Sequence, residues 1–527
     1  MIKMKTFGAA KIIVIVLTIQ TTSIYSGIID TIHNQVSHIA EGILSITNIP
    51  KMQLRAQFAS SPHQGHPSST QIGQISPNEA QVISERKKLN NKALSKISNI
   101  TNLPVNKTLN VAICTSGGGY RAMIATLTFL RELEKNNLLD SIQYAAALSG
   151  SAWAVGYWIS SKKSLSDFIS QVRSNLEKNS KTVAPITNTD AIIDVSKNFV
   201  RKFAYNQPLS SVDLWGALIG NNLVGADSQQ LKLSNQPGQI RDGSYPYPLY
   251  TAVRYITYND SYQWFEFSPY DVRNLASNIY VKSWAFGRKY IKNGTKFDSV
   301  SETLIHGTAF PAELPFNSLM GICGSAFTVN TQEIINDMES SGAKLSLVQQ
   351  TVLNLVASKV PTDIKQARAL SSQVFNFTPY EKDTMTLVDA GVDFNLPFPP
   401  LLQKDREIDL IIALDASATL STGQALKGAE QYATTNFKLN NILKLPTIKY
   451  DGIATNPISV FKNDNGPTVI YVPFRFITDC GDSYCSTFNF GYKADQFNNI
   501  VKWIQSNVPF DQIRDIIASE QNKKNTK

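Results

Sequence analysis

Cysteine and histidine are both scarce, four and five among 527 residues. Four cysteines in so long a chain exclude a disulfide-framework fold. No Cys or His pair has zinc spacing with a second pair to match it, so neither a metal centre nor any other cofactor is expected. Charge is thin as well, at 17% against 43% hydrophobic residues, which excludes a disordered chain and provides for a large core. Long apolar runs are missing: residues 12–19 form the strongest one, far short of the roughly 20 residues of a membrane-spanning helix. At this length several domains of about 150 residues would be ordinary, yet α/β enzymes often run longer, and one large catalytic body is expected.

The first residues differ from that body. Lys3, Lys5 and Lys11 precede the apolar run Ile12 to Ile19, and small polar residues continue through Ser26. Residues 1–26 read as a secretory signal peptide, the alternative being a membrane anchor. Its removal would take the formal charge from +9 to about +6, a bias that suits an anionic lipid surface and equally a solvated basic surface, but is no nucleic-acid footprint. After export Cys480 and Cys485 could close a small loop, whereas Cys114 and Cys323, in apolar surroundings, read as buried thiols.

Residues 27–104 read as an amphipathic helix followed by a linker. Ile28, Ile32, Val36, Ile39, Ile43 and Ile46 fall at helical steps of three and four. Residues 59–78 are rich in Ser and Pro and carry His63 and His66, which read as solvated. Residues 105–510 alternate apolar strands with helical stretches, an α/β pattern around a mostly parallel sheet. The expected strands are Leu109–Thr115, Gln143–Leu148, Met385–Val388, Leu410–Leu414 and Val469–Val472. Residues 511–527 form a polar tail, expected to be disordered from Glu520 onward.

Three motifs sit at strand ends. In the first, Thr115-Ser116-Gly117-Gly118-Gly119-Tyr120-Arg121-Ala122, a strand runs through glycines into a helix. Such a turn offers unpaired N–H groups and the positive end of a helix, suited to a phosphate or an oxyanion. A dinucleotide fold would want an acidic residue at the next strand end, but that strand ends in Leu148-Ser149-Gly150-Ser151, and the P-loop Gly-Lys-Ser/Thr is absent. The second motif, Ala147-Leu148-Ser149-Gly150-Ser151, resembles a nucleophile elbow, in which the positions two before and two after the serine must be small. The bland alternative is an ordinary Ser/Gly helix cap.

An activated serine usually works with a histidine. His33, His38, His63 and His66 precede the body, which leaves His306 without any motif around it. The scarcity points to a carboxylate, and Thr386-Leu387-Val388-Asp389-Ala390-Gly391 places one at a strand end. At the ordinary carboxyl pKa near 4 an aspartate is a poor base for a hydroxyl, so the site would have to be dry and the oxyanion well held.

In this order the three motifs resemble the catalytic domain of the cytosolic phospholipase A and fungal lysophospholipase (phospholipase B) family. Trp264-Phe265-Glu266-Phe267-Ser268-Pro269-Tyr270, Met320-Gly321-Ile322-Cys323-Gly324-Ser325-Ala326-Phe327 and Phe394-Asn395-Leu396-Pro397 resemble it too, so the likeness covers about residues 105 to 505. The resemblance implies a patatin-like α/β layered fold with a lid, and a serine acyl hydrolase acting on phospholipids or lysophospholipids at a membrane or micelle surface. It implies Ser149 as nucleophile, Asp389 as base, Gly118 and Gly119 as oxyanion-hole glycines, and Arg121 as a contact to the substrate phosphate. Ala147 departs from it, standing where the family has glycine, and nothing before residue 105 resembles a calcium-binding membrane module. An esterase or peptidase with the same dyad, or an inactive lipid-binding protein, are the readings that compete.

Overall fold

The computed structural model describes residues 50–59, 68–71, 75–181, 198, 200–208, 210–256, 261–293, 296–304, 306–326, 372–379, 383–437, 442–462, 466–480, 483–487, 489 and 491–526. The expected signal peptide and the expected amphipathic helix lie outside them, as do residues 60–67 and 72–74 of the expected linker. No helix among the described residues is long and apolar enough to cross a membrane.

All five expected strands form. They are β2 (Val111–Thr115), β3 (Ile142–Ala147), β9 (Thr384–Asp389), β10 (Leu410–Asp415) and β12 (Thr468–Pro473). Every residue of β2, β3, β10 and β12 is buried. Because successive side chains point to opposite faces, a strand buried at every position must be covered on both, which is why these read as continuous apolar runs. With β4 (Tyr247–Ile256) they make a five-stranded parallel centre in the order β4-β3-β2-β10-β12. The sheet then extends through antiparallel neighbours: β5 (Ser261–Phe267), β6 (Asp271–Asn274), β7 (Ile279–Lys282) and β1 (Thr70–Gln71) beyond β4, and β11 (Ser459–Phe461) beyond β12. The remaining strand, β8 (Ser372–Phe375), pairs with β9, which in turn pairs antiparallel with β4.

Between β2 and β3 runs α2 (Gly119–Lys135), and α3 (Gly150–Ser161) follows β3 directly. The helix α1 (Pro77–Ser98) begins inside the stretch expected to be linker. Ser76 accepts a hydrogen bond from the Glu79 N–H, Pro77 occupies the first turn, and Asn99 closes the helix in the left-handed region. Val82, Arg86, Asn90 and Leu94, four residues apart, are buried in one stripe. Arg86 donates to the Leu139 and Ile142 carbonyls at 2.6 and 2.7 Å. At the other end of α1, Arg406 lies between Glu79 at 2.8 Å and Glu266 at 2.7 Å, all three buried. Burial pushes the Glu79 carboxyl above its ordinary value. The layers packed on the sheet therefore begin before residue 105, with α1 among them. The lid is not assigned to any segment among the described residues.

The chain end also differs from expectation. The polar tail expected at residues 511–527 is a helix, α4 (Phe510–Thr526), packed on α1. Phe510, Ile513, Ile517 and Gln521 make its buried face. The Gln521 amide accepts from the Leu109 N–H at 2.9 Å and donates to the Lys107 carbonyl at 3.0 Å, which ties the helix to the approach into β2. A stripe of one buried residue in four is easily masked by the polar residues between. Ile517→Ala should cost about 2–4 kcal/mol in urea unfolding, and Lys523→Ala, in an exposed ion pair with Glu520, less than about 0.5 kcal/mol. A disordered tail would leave both unchanged.

Candidate active site

The site is built on β4, whose two halves have different partners. Its first half pairs in parallel with β3, Ala147 opposite Tyr250, and its second half pairs antiparallel with β9, Asp389 opposite Ala252. Since β5 occupies the other edge of β4 from Tyr250 to Ile256, β3 and β9 share one edge and run toward each other along it. Their ends stop two β4 residues apart, and the Thr251 hydroxyl between them donates to the Ala147 carbonyl at 3.3 Å. The residues that follow those ends must meet, and the Ser149 hydroxyl comes close enough to the Asp389 carboxylate to oppose the rise of its pKa.

Ser149 has φ 52° and ψ −122°, a strained conformation for a residue with a side chain. It occupies the N-cap position of α3 without capping it, so its hydroxyl is left to the carboxylate. A Cβ at Gly150 would collide with the Gly119 carbonyl oxygen, so elbow and glycine turn touch backbone to backbone. The second serine of the motif does other work: the Ser151 hydroxyl is fully buried, donates to the Ser116 carbonyl at 2.6 Å and lies 2.7 Å from the Thr126 hydroxyl. Ala147, at the buried end of β3, fits the elbow.

Asp389 is 1% exposed, and burial pushes its carboxyl up to about 6, against the opposing effects of the Ser149 hydroxyl and the Gly391 and Ala326 main chain. The Gly391 N–H donates to Oδ1 at 2.8 Å. The Asp389 N–H donates to the Ser325 hydroxyl at 3.2 Å. His306 is exposed between the short strands Glu302–Thr303 and Thr308–Ala309, outside the large sheet. Cys114 and Cys323 are buried thiols, as read from the sequence.

Gly118 and Gly119 take φ values of 137° and 61°, closed or costly to other residues. Their N–H groups, at the start of α2, find no acceptor among the described residues. Arg121, 1% exposed, sits behind this turn. It donates to the Ala416 carbonyl from Nε at 3.1 Å and Nη2 at 2.8 Å, to the Cys485 carbonyl from Nη1, and to the Thr487 hydroxyl at 3.2 Å. Burial lowers its guanidinium to about 10. Glu132, a carboxylate on the same helix, is engaged instead by Arg131 and Lys135. Cys480 and Cys485 form a disulfide, and the segment it closes leads to Thr487, whose carbonyl packs against Gly119.

Sequence reasoning missed two parts of this site. One is the segment from Cys485 to Thr487 behind the glycine turn. The other is Asn395, whose side chain bonds Gly117; the surrounding Phe-Asn-Leu-Pro was the only signal, and it carries no chemistry by itself.

Comparison with known proteins places this geometry. Human cytosolic phospholipase A2 zeta is 26% identical over 424 residues, covering 68% of this chain and 48% of its own length. Phospholipase B of Cryptococcus neoformans is 24% identical over 451 residues, covering 75% and 67%. The chain thus spans about half the length of the human relative. Among solved structures, human GIVD cytosolic phospholipase A2 superposes with a TM-score of 0.68 at 19% identity, over 87% of this chain and 68% of that one, a likeness of fold. The family model described as the lysophospholipase catalytic domain matches residues 111–437, well over half of the chain, and the chain belongs to that family.

Proposed function

We propose that the chain is a serine acyl hydrolase that releases fatty acids from phospholipids or lysophospholipids at a lipid surface. The observation that carries this reading is the placement of Ser149 against the dry carboxylate of Asp389, beside two glycine N–H groups that find no acceptor among the described residues. Asp389 accepts the Ser149 proton as the oxygen attacks the ester carbonyl. The Gly118 and Gly119 N–H groups hold the resulting oxyanion, and the proton passes to the departing alcohol. Water, deprotonated by the same carboxylate, then attacks the acyl-serine, the fatty acid leaves and Ser149 regains its proton. Each oxyanion donor is worth on the order of 3 kcal/mol, help that a base weaker than imidazole requires.

Arg121 enters this proposal in a narrow form. Four of its five N–H groups already have acceptors, so one N–H on Nη1 remains for a substrate phosphate while the others brace the glycine turn. We further propose that residues 1–26 are an export signal. The Cys480–Cys485 disulfide supports an oxidising compartment, and the relation to a fungal phospholipase B is compatible with one.

Three measurements test the reading. Ser149→Ala should abolish release of fatty acid from a defined phospholipid set followed by mass spectrometry, while Ser151→Ala keeps substantial activity and a fluorophosphonate labels Ser149 alone. A folded parent protein that takes no label would overturn the proposal.

Because Asp389 must be ionised to act and its carboxyl is raised to about 6, kcat/KM should fall roughly tenfold per pH unit below about pH 6. Asp389→Asn should lose at least about 10³-fold activity, with His306→Ala near parental. The same raised carboxyl destabilises the fold on the order of 3 kcal/mol above pH 6 and not below about pH 4, so Asp389→Asn should melt higher than the parent at pH 8 and equally at pH 4. An acid limb near pH 4 would contradict a dry carboxylate.

Arg121→Lys should lower kcat/KM on phospholipid and on a small neutral ester alike, about tenfold or more, as the brace loosens, with a further loss on phospholipid alone. An unchanged ratio between the two substrates would remove the phosphate contact and leave the brace.

A further inference from the structure

We infer that Asn395 is a positioning residue of this reaction, orienting the Gly118 N–H toward the oxyanion and locking it to the turn that holds Asp389. The inference rests on the acyl-hydrolase reading above.

Asn395 is partly buried, and both ends of its amide are engaged by one residue. Oδ1 accepts from the Gly117 N–H at 3.0 Å, and Nδ2 donates to the Gly117 carbonyl across a long 3.4 Å. That carbonyl belongs to the same planar peptide as the Gly118 N–H. In a trans peptide the two bonds point in opposite directions, so holding the Gly117 oxygen fixes where the Gly118 hydrogen points. Gly118, at φ 137°, has no side chain to restrict the rotation of that peptide. Asn395 supplies restriction from outside, alongside the Ser116 hydroxyl, which donates to the same carbonyl at 3.1 Å; Asn395 alone also holds the Gly117 N–H.

The amide also lies against the turn that holds the base. A Cβ at Gly391 would lie 2.9 Å from Asn395 Oδ1, and Gly391 is the residue whose N–H bonds the Asp389 carboxylate. At Gly117 a Cβ would stand 2.5 Å from the same Oδ1 and 2.9 Å from the Ser149 Cβ. Glycine at both positions lets one amide touch the oxyanion turn and the base turn, while Gly117 itself lies against the Ser149 Cβ. Donor and base then keep a fixed separation, and misplacing a group by about 1 Å at such a centre can cost 10²-fold in rate.

The experiment compares parent, Asn395→Ala and Asn395→Asp in full-length protein, with phospholipid kinetics, fluorophosphonate labelling rate and thermal melting. Asp keeps the shape and the acceptor for the Gly117 N–H but offers its carbonyl no donor; Ala removes both bonds. Both variants are expected to lose kcat by about 10- to 100-fold with KM within about twofold, to label correspondingly slowly, and Asp to melt near the parent. Should Ala fail to fold, the Asp variant decides. Parental kcat and labelling rate in a folded variant, or a loss carried by KM, would overturn the inference. A parent that neither hydrolyses phospholipid nor takes the label would instead count against the acyl-hydrolase reading.

Discussion

One strand edge governs the site. β4 offers the same edge to β3 in one direction and to β9 in the other, and the two cannot pass each other along it. The chain leaving β3 at Ala147 must turn away, and the sharp turn at Ser149 with φ 52° is the form that exit takes. The chain arriving on β9 must end facing it, and its last residue is Asp389. Ladder hydrogen bonds on both sides set the separation of the two groups, so no long flexible side chain has to find its partner.

The same arrangement determines the chemistry available. A carboxylate brought in by a strand is enclosed by the sheet, and Asp389 loses solvent for that reason; burial is the leading cause of its raised pKa. In the proposed reaction, desolvation makes it a stronger base than an aspartate in water, yet still a weak one for a hydroxyl, and the transition state must be stabilised from the oxyanion side. There the structure is most constrained: Gly150 against Gly119, Gly117 against the Ser149 Cβ, and Arg121 on the carbonyls of Ala416 and Cys485.

Much of this was legible in the sequence. Buried parallel strands announce themselves as apolar runs, and the three motifs at their ends could be read because small residues and catalytic letters sit together. The scarcity of histidine turned the reading toward a carboxylate, and His306, the one histidine among the described residues, is exposed on a separate hairpin. The template strand was not legible: Tyr247–Ile256 contains Pro248, carries no reactive residue at the site and earns its role only through pairing with three neighbours. α4 was missed because composition over a short window counts every residue, whereas burial counts one face.

Asn395 was illegible for a different reason, which bears on how such a site is specified. A glycine turn that must point N–H groups into a pocket is by nature free to rotate, so the freedom that makes it useful has to be cancelled by something outside the turn. Arg121 cancels it from behind, through carbonyls of two other segments, and Asn395 from the front, through Gly117. Arg121, two residues past the glycines, braces them only through segments distant in sequence, and Asn395 itself lies 278 residues away along the chain. The proposed nucleophile and base are local features of strand ends, but the geometry of the proposed oxyanion donors belongs to the whole fold, and substitutions far from the glycines should reach the reaction through it.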